Sequence, residues 1–196
     1  NTTSAPITAT YTISAASGNG CSSNQVIADR QVTFTINPEP VGINTNETIC
    51  SGDAFLINPQ TDNINAVGGN GVSSTFTWTV SNYGGVTGGV GSGPIAAGGT
   101  LSETLINKTG SAVTVVYTLF PIAQTGTCAG LPASSFTHSV TVDPEPVGIN
   151  TTLAAICSGA GFTPIDPQTD NINAGAGNDV VSSFTWTASY GAVTGG

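Results

Sequence analysis

At 196 residues the chain can hold one domain or two, and its formal net charge of −9 combines eleven acidic residues with only Arg30 and Lys108 as basic ones. Two isolated cations do not make the footprint that displaces counterions from a phosphate backbone, so no nucleic-acid partner is expected, and an anionic bilayer surface is disfavoured in the same way. Membrane insertion is excluded as well, because the most apolar stretch, 112–123, is short and broken by Thr114, Thr118 and Pro121.

In chain order, the first ten residues lack a basic start followed by an apolar run, so an export signal is expected outside them. The segment that follows carries Tyr11-Thr12, Cys21 and a 32–38 block, whose counterparts are Tyr117-Thr118, Cys128 and 138–144. Pro38-Glu-Pro-Val-Gly-Ile-Asn44 then returns as Pro144-Glu-Pro-Val-Gly-Ile-Asn150, 106 residues later. Ile49-Cys-Ser-Gly52 returns as Ile156-Cys-Ser-Gly159, and Pro59-Gln-Thr-Asp-Asn-Ile-Asn-Ala66 as Pro167-Gln-Thr-Asp-Asn-Ile-Asn-Ala174. Phe76-Thr-Trp78 returns as Phe184-Thr-Trp186. A fixed period of this length marks a tandem array. Residues 1–37 read as the C-terminal part of one repeat, 38–143 as a complete repeat and 144–196 as the N-terminal part of the next, all within a longer protein.

Inside the complete repeat, apolar and polar residues alternate with period two. Phe76, Trp78 and Val80 share one face and Thr75, Thr77 and Thr79 the other; Val113, Val115, Tyr117 and Leu119 repeat the pattern. Hydrophobic residues make up 38% of the chain, so 26 Gly and 11 Pro punctuate strands rather than signal disorder. The expected strands are A near 40–44, B near 54–58, C near 74–82, a short D near 85–88, E near 101–106, F near 112–121 and G near 135–142. No helical stripe is visible. The fold class is all-β: tandem immunoglobulin-like β-sandwich repeats joined by short Pro-containing linkers, with Trp78, Tyr117 and Trp186 as core residues. The Pro-Glu-Pro segments are expected to be extended, semi-rigid joints.

Thr48-Ile-Cys-Ser-Gly52, Phe76-Thr-Trp-Thr-Val80, the strand at 113–118, Gly126-Thr-Cys128 and Val140-Thr-Val-Asp-Pro144 together resemble the PKD-like repeats of Bacteroidota surface proteins. The resemblance covers the whole chain and lies in the order and spacing of the motifs. It implies an extracellular scaffold at the cell surface, of the kind found in giant adhesins and gliding-associated filaments exported by the type 9 secretion route.

No catalytic constellation is apparent. The single imidazole, His138, stands where the preceding copy has Val32, and Asp53, Asp143 and Glu145 lie in a turn and a linker rather than a cleft. An isopeptide at Lys108 is disfavoured because its counterpart is Thr2. Cys21, Cys50, Cys128 and Cys157 fit structural disulfides in an oxidising compartment. Cys50 falls in the A–B turn and Cys128 in the F–G loop, at opposite poles, so an inter-unit staple from Cys50 to the following repeat is favoured over an in-chain pair or free thiols. Asp62, Asn63 and Asn65, with Asp170, Asn171 and Asn173, cluster oxygen ligands suited to calcium, joined by Asn70 in one copy and by Asn178 with Asp179 in the other. The same residue types are ordinary turn formers, and turns are favoured. Asn1, Asn46, Asn107 and Asn150 head glycosylation triplets that the abundance of Asn and Thr explains.

The functional expectation is a non-enzymatic stalk or shaft segment of a long extracellular adhesin or surface filament. Its partners would be neighbouring repeats of the same protein, with lateral filament partners or surface glycans as further candidates and no cofactor. One alternative is a repeat that itself binds surface polysaccharide or a partner chain, for which Tyr83 with Tyr190 is the only repeated aromatic candidate. The other is an accessory module of a large secreted hydrolase.

Overall fold

The computed structural model describes residues 1–13, 18–19, 30–124, 130 and 133–193. The strands in chain order are β1 (Ile7–Ile13), β2 (Arg30–Ile36), β3 (Thr45–Cys50), β4 (Ala54–Ile57), β5 (Ser74–Val80), β6 (Ser92–Ile95), β7 (Leu101–Thr104), β8 (Val113–Ala123) and β9 (Phe136–Asp143). Two short π-turns, Gln60–Ile64 and Gln168–Ile172, complete the elements.

Period-two alternation places the strands as it should. Phe76 and Trp78 of β5, Val115, Tyr117 and Leu119 of β8, and Phe136, Val140 and Val142 of β9 all point to one side of a five-stranded sheet ordered β3-β9-β8-β5-β6. Strands β4 and β7 form a second, two-stranded sheet. Its Phe55, Ile57 and Leu101 join the inner residues of the first sheet in one buried cluster. Two layers over one dry core make a sandwich. Trp78 and Tyr117 lie at its middle, ring centroids 5.6 Å apart, with Phe55 4.9 Å from Tyr117. Strand β3 runs parallel to β9, Thr45 opposite His138 and Cys50 opposite Asp143, while the other strand pairs are antiparallel.

Three expectations are corrected. Strand A does not occupy 40–44; the first paired strand of the unit is β3, at Thr45–Cys50. Pro38 and Pro40 have no amide hydrogen to offer a ladder, and the amides between and after them are taken: Glu39 N donates to Asn1 O at 3.0 Å and Val41 N to Asn70 Oδ1 at 2.9 Å. Strand D does not form at 85–88, where only the bridge Thr87–Ile106 survives, and the strand beside β5 is β6. Gly84, Gly85 and Gly88 take φ of +63°, +96° and +101°, which bends the chain out of an extended path. Helical geometry is present after all in the two π-turns, each too short to show a period.

The terminal copies repeat local structure without the sandwich. β1 and β2 pair in the register of β8 and β9: Ile7 opposite Ile36 matches Val113 opposite Val142, and Tyr11 opposite Val32 matches Tyr117 opposite His138. Their inner face is open, with Tyr11 60% and Phe34 51% exposed. Trp186, expected in a core, is 82% exposed. Trp78 is flanked by strands β6 and β8, paired with Gly93 and Leu119 and packed on Tyr117, whereas the sequence 144–196 holds no counterparts of those two strands.

Candidate functional site

The repeated Gln-Thr-Asp-Asn-Ile-Asn sequence builds the same turn twice. Asn65 N donates to Gln60 O at 2.8 Å, and Asn173 N to Gln168 O at 2.8 Å, closing the wide i to i−5 loop of a π-turn. Asp62 and Asp170 cap it from within, since each Oδ2 accepts from the amide four residues earlier, Asn58 N at 2.8 Å and Asp166 N at 2.9 Å. Gln60 Nε2 donates to Asn65 Oδ1 at 2.8 Å, and Gln168 Nε2 to Asn173 Oδ1 at 2.6 Å. Asn63 Nδ2 reaches Ile43 O at 2.8 Å and Thr45 Oγ1 at 3.0 Å; Asn171 Nδ2 reaches Ile149 O at 2.7 Å and Thr151 Oγ1 at 3.0 Å. The turn therefore pins the entry of the first strand to the unit. Gly69 and Gly177 pack so tightly beneath it that a Cβ on either would collide with the carbonyl oxygen of Ile64 or Ile172.

These bonds occupy several of the oxygens that the sequence clusters. The ligand sphere calcium needs is six to eight converging oxygens, whereas Asp62 and Asn65, like Asp170 and Asn173, use an oxygen to close the turn itself. Asn63 Oδ1 is buried and has no partner. Asp179 takes φ of +60° where the complete unit has Gly71 at +70°, so it serves as a left-handed turn residue. Thr169 Oγ1 donates to Asp166 Oδ2 at 2.8 Å and holds that carboxyl below the usual range. Among the described residues no group of three or more His, Cys, Asp or Glu could hold a metal ion.

Two polar clusters in the sandwich escape sequence reading. Glu103 of β7 is only 6% exposed, yet its carboxylate accepts from Tyr117 OH at 2.6 Å, Tyr83 OH at 2.9 Å and Val90 N at 2.7 Å. Burial first, and the hydrogen bond and charge of Glu103 next, hold the Tyr117 phenol far above its usual pKa; burial also raises that of Tyr83. Tyr83, named as a binding aromatic, thus turns inward and also accepts from Gly91 N at 2.9 Å. The second cluster runs from Asn63 through Thr45 to His138 and Glu47. His138 Nε2 lies 2.9 Å from Glu47 Oε1 and Nδ1 2.9 Å from Thr45 Oγ1. A carboxylate can only accept, so these partners assign the proton to Nε2. The first cluster lies inside the sandwich and the second along β3, where Glu47 remains partly exposed.

Cys50 closes β3 and is exposed and free, as is Cys157. Cys21 and Cys128, and the Gly126-Thr-Cys128 motif, lie outside the described residues. Because β3 is parallel to β9, Cys50 sits beside Asp143, at the far end of β9 from the β8–β9 connection. Lys108 Nζ pairs with Glu145 Oε1 at 3.7 Å on the surface. Trp78 and Tyr117 are buried. Among the described residues no helix is long and apolar enough to cross a membrane.

Internal comparison carries a signal for what was missed. Glu103 occupies an inward phase of β7 next to Leu101, and Glu47 and His138 are both peculiar to the complete copy, since the neighbouring copies have Leu153-Ala154 and Val32 at the corresponding places. A family model described as PKD-like domain matches residues 47–146, from β3 through β9. Comparison with curated proteins gives no match.

Proposed function

Because the chain belongs to the PKD-like domain family, we propose that it is a non-catalytic stalk or shaft segment of a long extracellular protein, an adhesin or surface filament. The observation that carries this reading is duplication in three dimensions: the π-turn at Gln60–Ile64 and that at Gln168–Ile172, 108 residues apart in sequence, share the bond that closes the turn, the Asp cap, the Gln–Asn bond and the Asn bonds to Ile43 and Thr45 or their counterparts Ile149 and Thr151. Such a chain is a one-dimensional array in which each unit carries its own core and length is gained by adding units. Residues 1–37, 38–143 and 144–196 are assigned to three successive units. The cell surface of a Bacteroidota organism, reached by type 9 secretion, is the setting that the motif resemblance supports. An oxidising exterior would also let Cys50 staple to the following unit.

Binding through aromatic loop tips is the less supported alternative, since Tyr83 is consumed by Glu103. Screening the chain against an array of surface polysaccharides tests the choice. No retained ligand is expected; saturable retention that Tyr190→Ala abolishes would replace the stalk with a binding module. Further copies of the unit encoded beside this one are expected, whereas an adjoining catalytic domain would favour the accessory-module reading.

A further inference from the structure

The junctions between units contain a second duplicated device, and it is independent of the π-turn. In the complete unit, Asn107 is fully buried and organises the turn before β8. Its Nδ2 donates to Ser111 O at 2.9 Å and to Val142 O at 2.7 Å, and its Oδ1 accepts from Thr109 N at 2.9 Å and Thr109 Oγ1 at 2.7 Å. The turn is thereby fixed to the end of β9, and the carbonyls of Lys108 and Thr109 are left pointing outward. Asn178, from the loop after the second π-turn, donates through Nδ2 to Lys108 O at 3.2 Å, Thr109 O at 3.0 Å and Glu145 O at 2.8 Å. Its Oδ1 accepts from Val147 N at 2.9 Å. Pro144 and Pro146 cannot donate, so the linker has two amides to satisfy, and both are satisfied: Glu145 N donates to Asn107 O at 3.0 Å and Val147 N to Asn178.

The first junction is built the same way. Asn1 Nδ2 donates to Ala5 O at 3.0 Å and Ile36 O at 2.8 Å, and its Oδ1 accepts from Thr3 N at 3.1 Å. Asn70 Nδ2 donates to Thr2 O at 3.2 Å, Thr3 O at 3.2 Å and Glu39 O at 2.7 Å, while Asn70 Oδ1 accepts from Val41 N at 2.9 Å. Only main-chain carbonyls are read, so the preceding unit can present Thr2 in one case and Lys108 in the other. The Lys108–Glu145 ion pair has no equivalent at the first junction and is not required.

We propose that Asn70 and Asn178 are docking residues: each unit recognises the asparagine-braced turn of the unit before it, and consecutive units are clasped at a fixed angle rather than strung on a free linker. The partner of this surface is another copy of the same repeat, joined head to tail. Such a heterologous contact does not close on itself, so it propagates along the array with a constant rotation per unit. The proposal rests on the tandem reading of the chain, but not on whether the array is a stalk or a binding platform.

The test uses the full 196-residue chain with its four cysteines changed to serine and spin labels attached through Thr61→Cys and Thr169→Cys, at equivalent places on the two π-turns. Pulsed dipolar spectroscopy should give one narrow distance population. Asn178→Ala, which removes all four contacts, and Asn178→Asp, which keeps the acceptor and loses the donors, should each broaden it. The Val147 amide should exchange at least about tenfold faster in Asn178→Ala, which removes its acceptor. Protection of the Tyr117 and Val140 amides reports that the sandwich is intact in each variant. A broad distribution in the parent, or one that stays narrow in either variant, overturns the clasp. The polysaccharide screen is unaffected by either result, so failure of the clasp and failure of the stalk reading remain separable.

Discussion

Trp78 and Trp186 occupy the same place in a repeated Phe-Thr-Trp-Thr sequence, yet one is 4% and the other 82% exposed. The π-turns of the same two copies, by contrast, share the Gln–Asn bond and the Asn bond to Ile43 or its counterpart Ile149. The contrast separates two kinds of information. A turn whose partners all lie within about twenty residues forms wherever its sequence occurs, whereas strand β5 exists only when β6 and β8, further along the chain, are there to pair with it.

Substitutions at matched positions sharpen that contrast. Trp78→Ala should cost about 4 kcal/mol in denaturant unfolding followed by Tyr or backbone signals, and Trp186→Ala should change the midpoint negligibly. Equal costs would break the distinction. Glu103→Ala strands two phenols and the Val90 amide inside the sandwich and should cost about 3 kcal/mol. Asn63→Ala should cost about 1–2 kcal/mol of global stability, while Asn171→Ala should speed amide exchange only around its own turn. For pH, the folded-state pKa of Tyr117 is raised, so its stabilisation is fully present below the unfolded value of about 10 and is lost as pH rises towards the folded one. Stability should therefore be flat up to that point and then fall by roughly 1.4 kcal/mol per pH unit, a decline that Tyr117→Phe lessens. The smallest effect is expected from Lys108→Ala, within about 0.5 kcal/mol, because an exposed ion pair at 3.7 Å contributes little.

What could be read from sequence follows the same division. Strands B, C, E, F and G are legible because each alternates in step with a half-buried sheet. Strand A is not, since 38–44 looks extended but its donors serve the junction, and D is not, because three glycines of positive φ interrupt it. The π-turn has no period to detect, and the part that its Asp and Asn play in closing it shows only in their hydrogen bonds. Glu103 hides by being a charge at an apolar phase. Asn107 and Asn178 hide differently: both recur between copies, but what they recognise is main chain, which leaves no trace in side-chain identity.

The parallel pairing of β3 with β9 gives the complete unit a direction under tension. The chain enters the sandwich at Thr45 and leaves it at Asp143, at opposite ends of two adjacent strands whose ladder spans Thr45–His138 to Cys50–Asp143. Force applied through the linkers therefore slides these strands past each other, and the ladder's hydrogen bonds must rupture together instead of peeling one by one. A unit stretched from its ends resists by shear, so extension of the proposed array is expected to break units in abrupt, all-or-none steps.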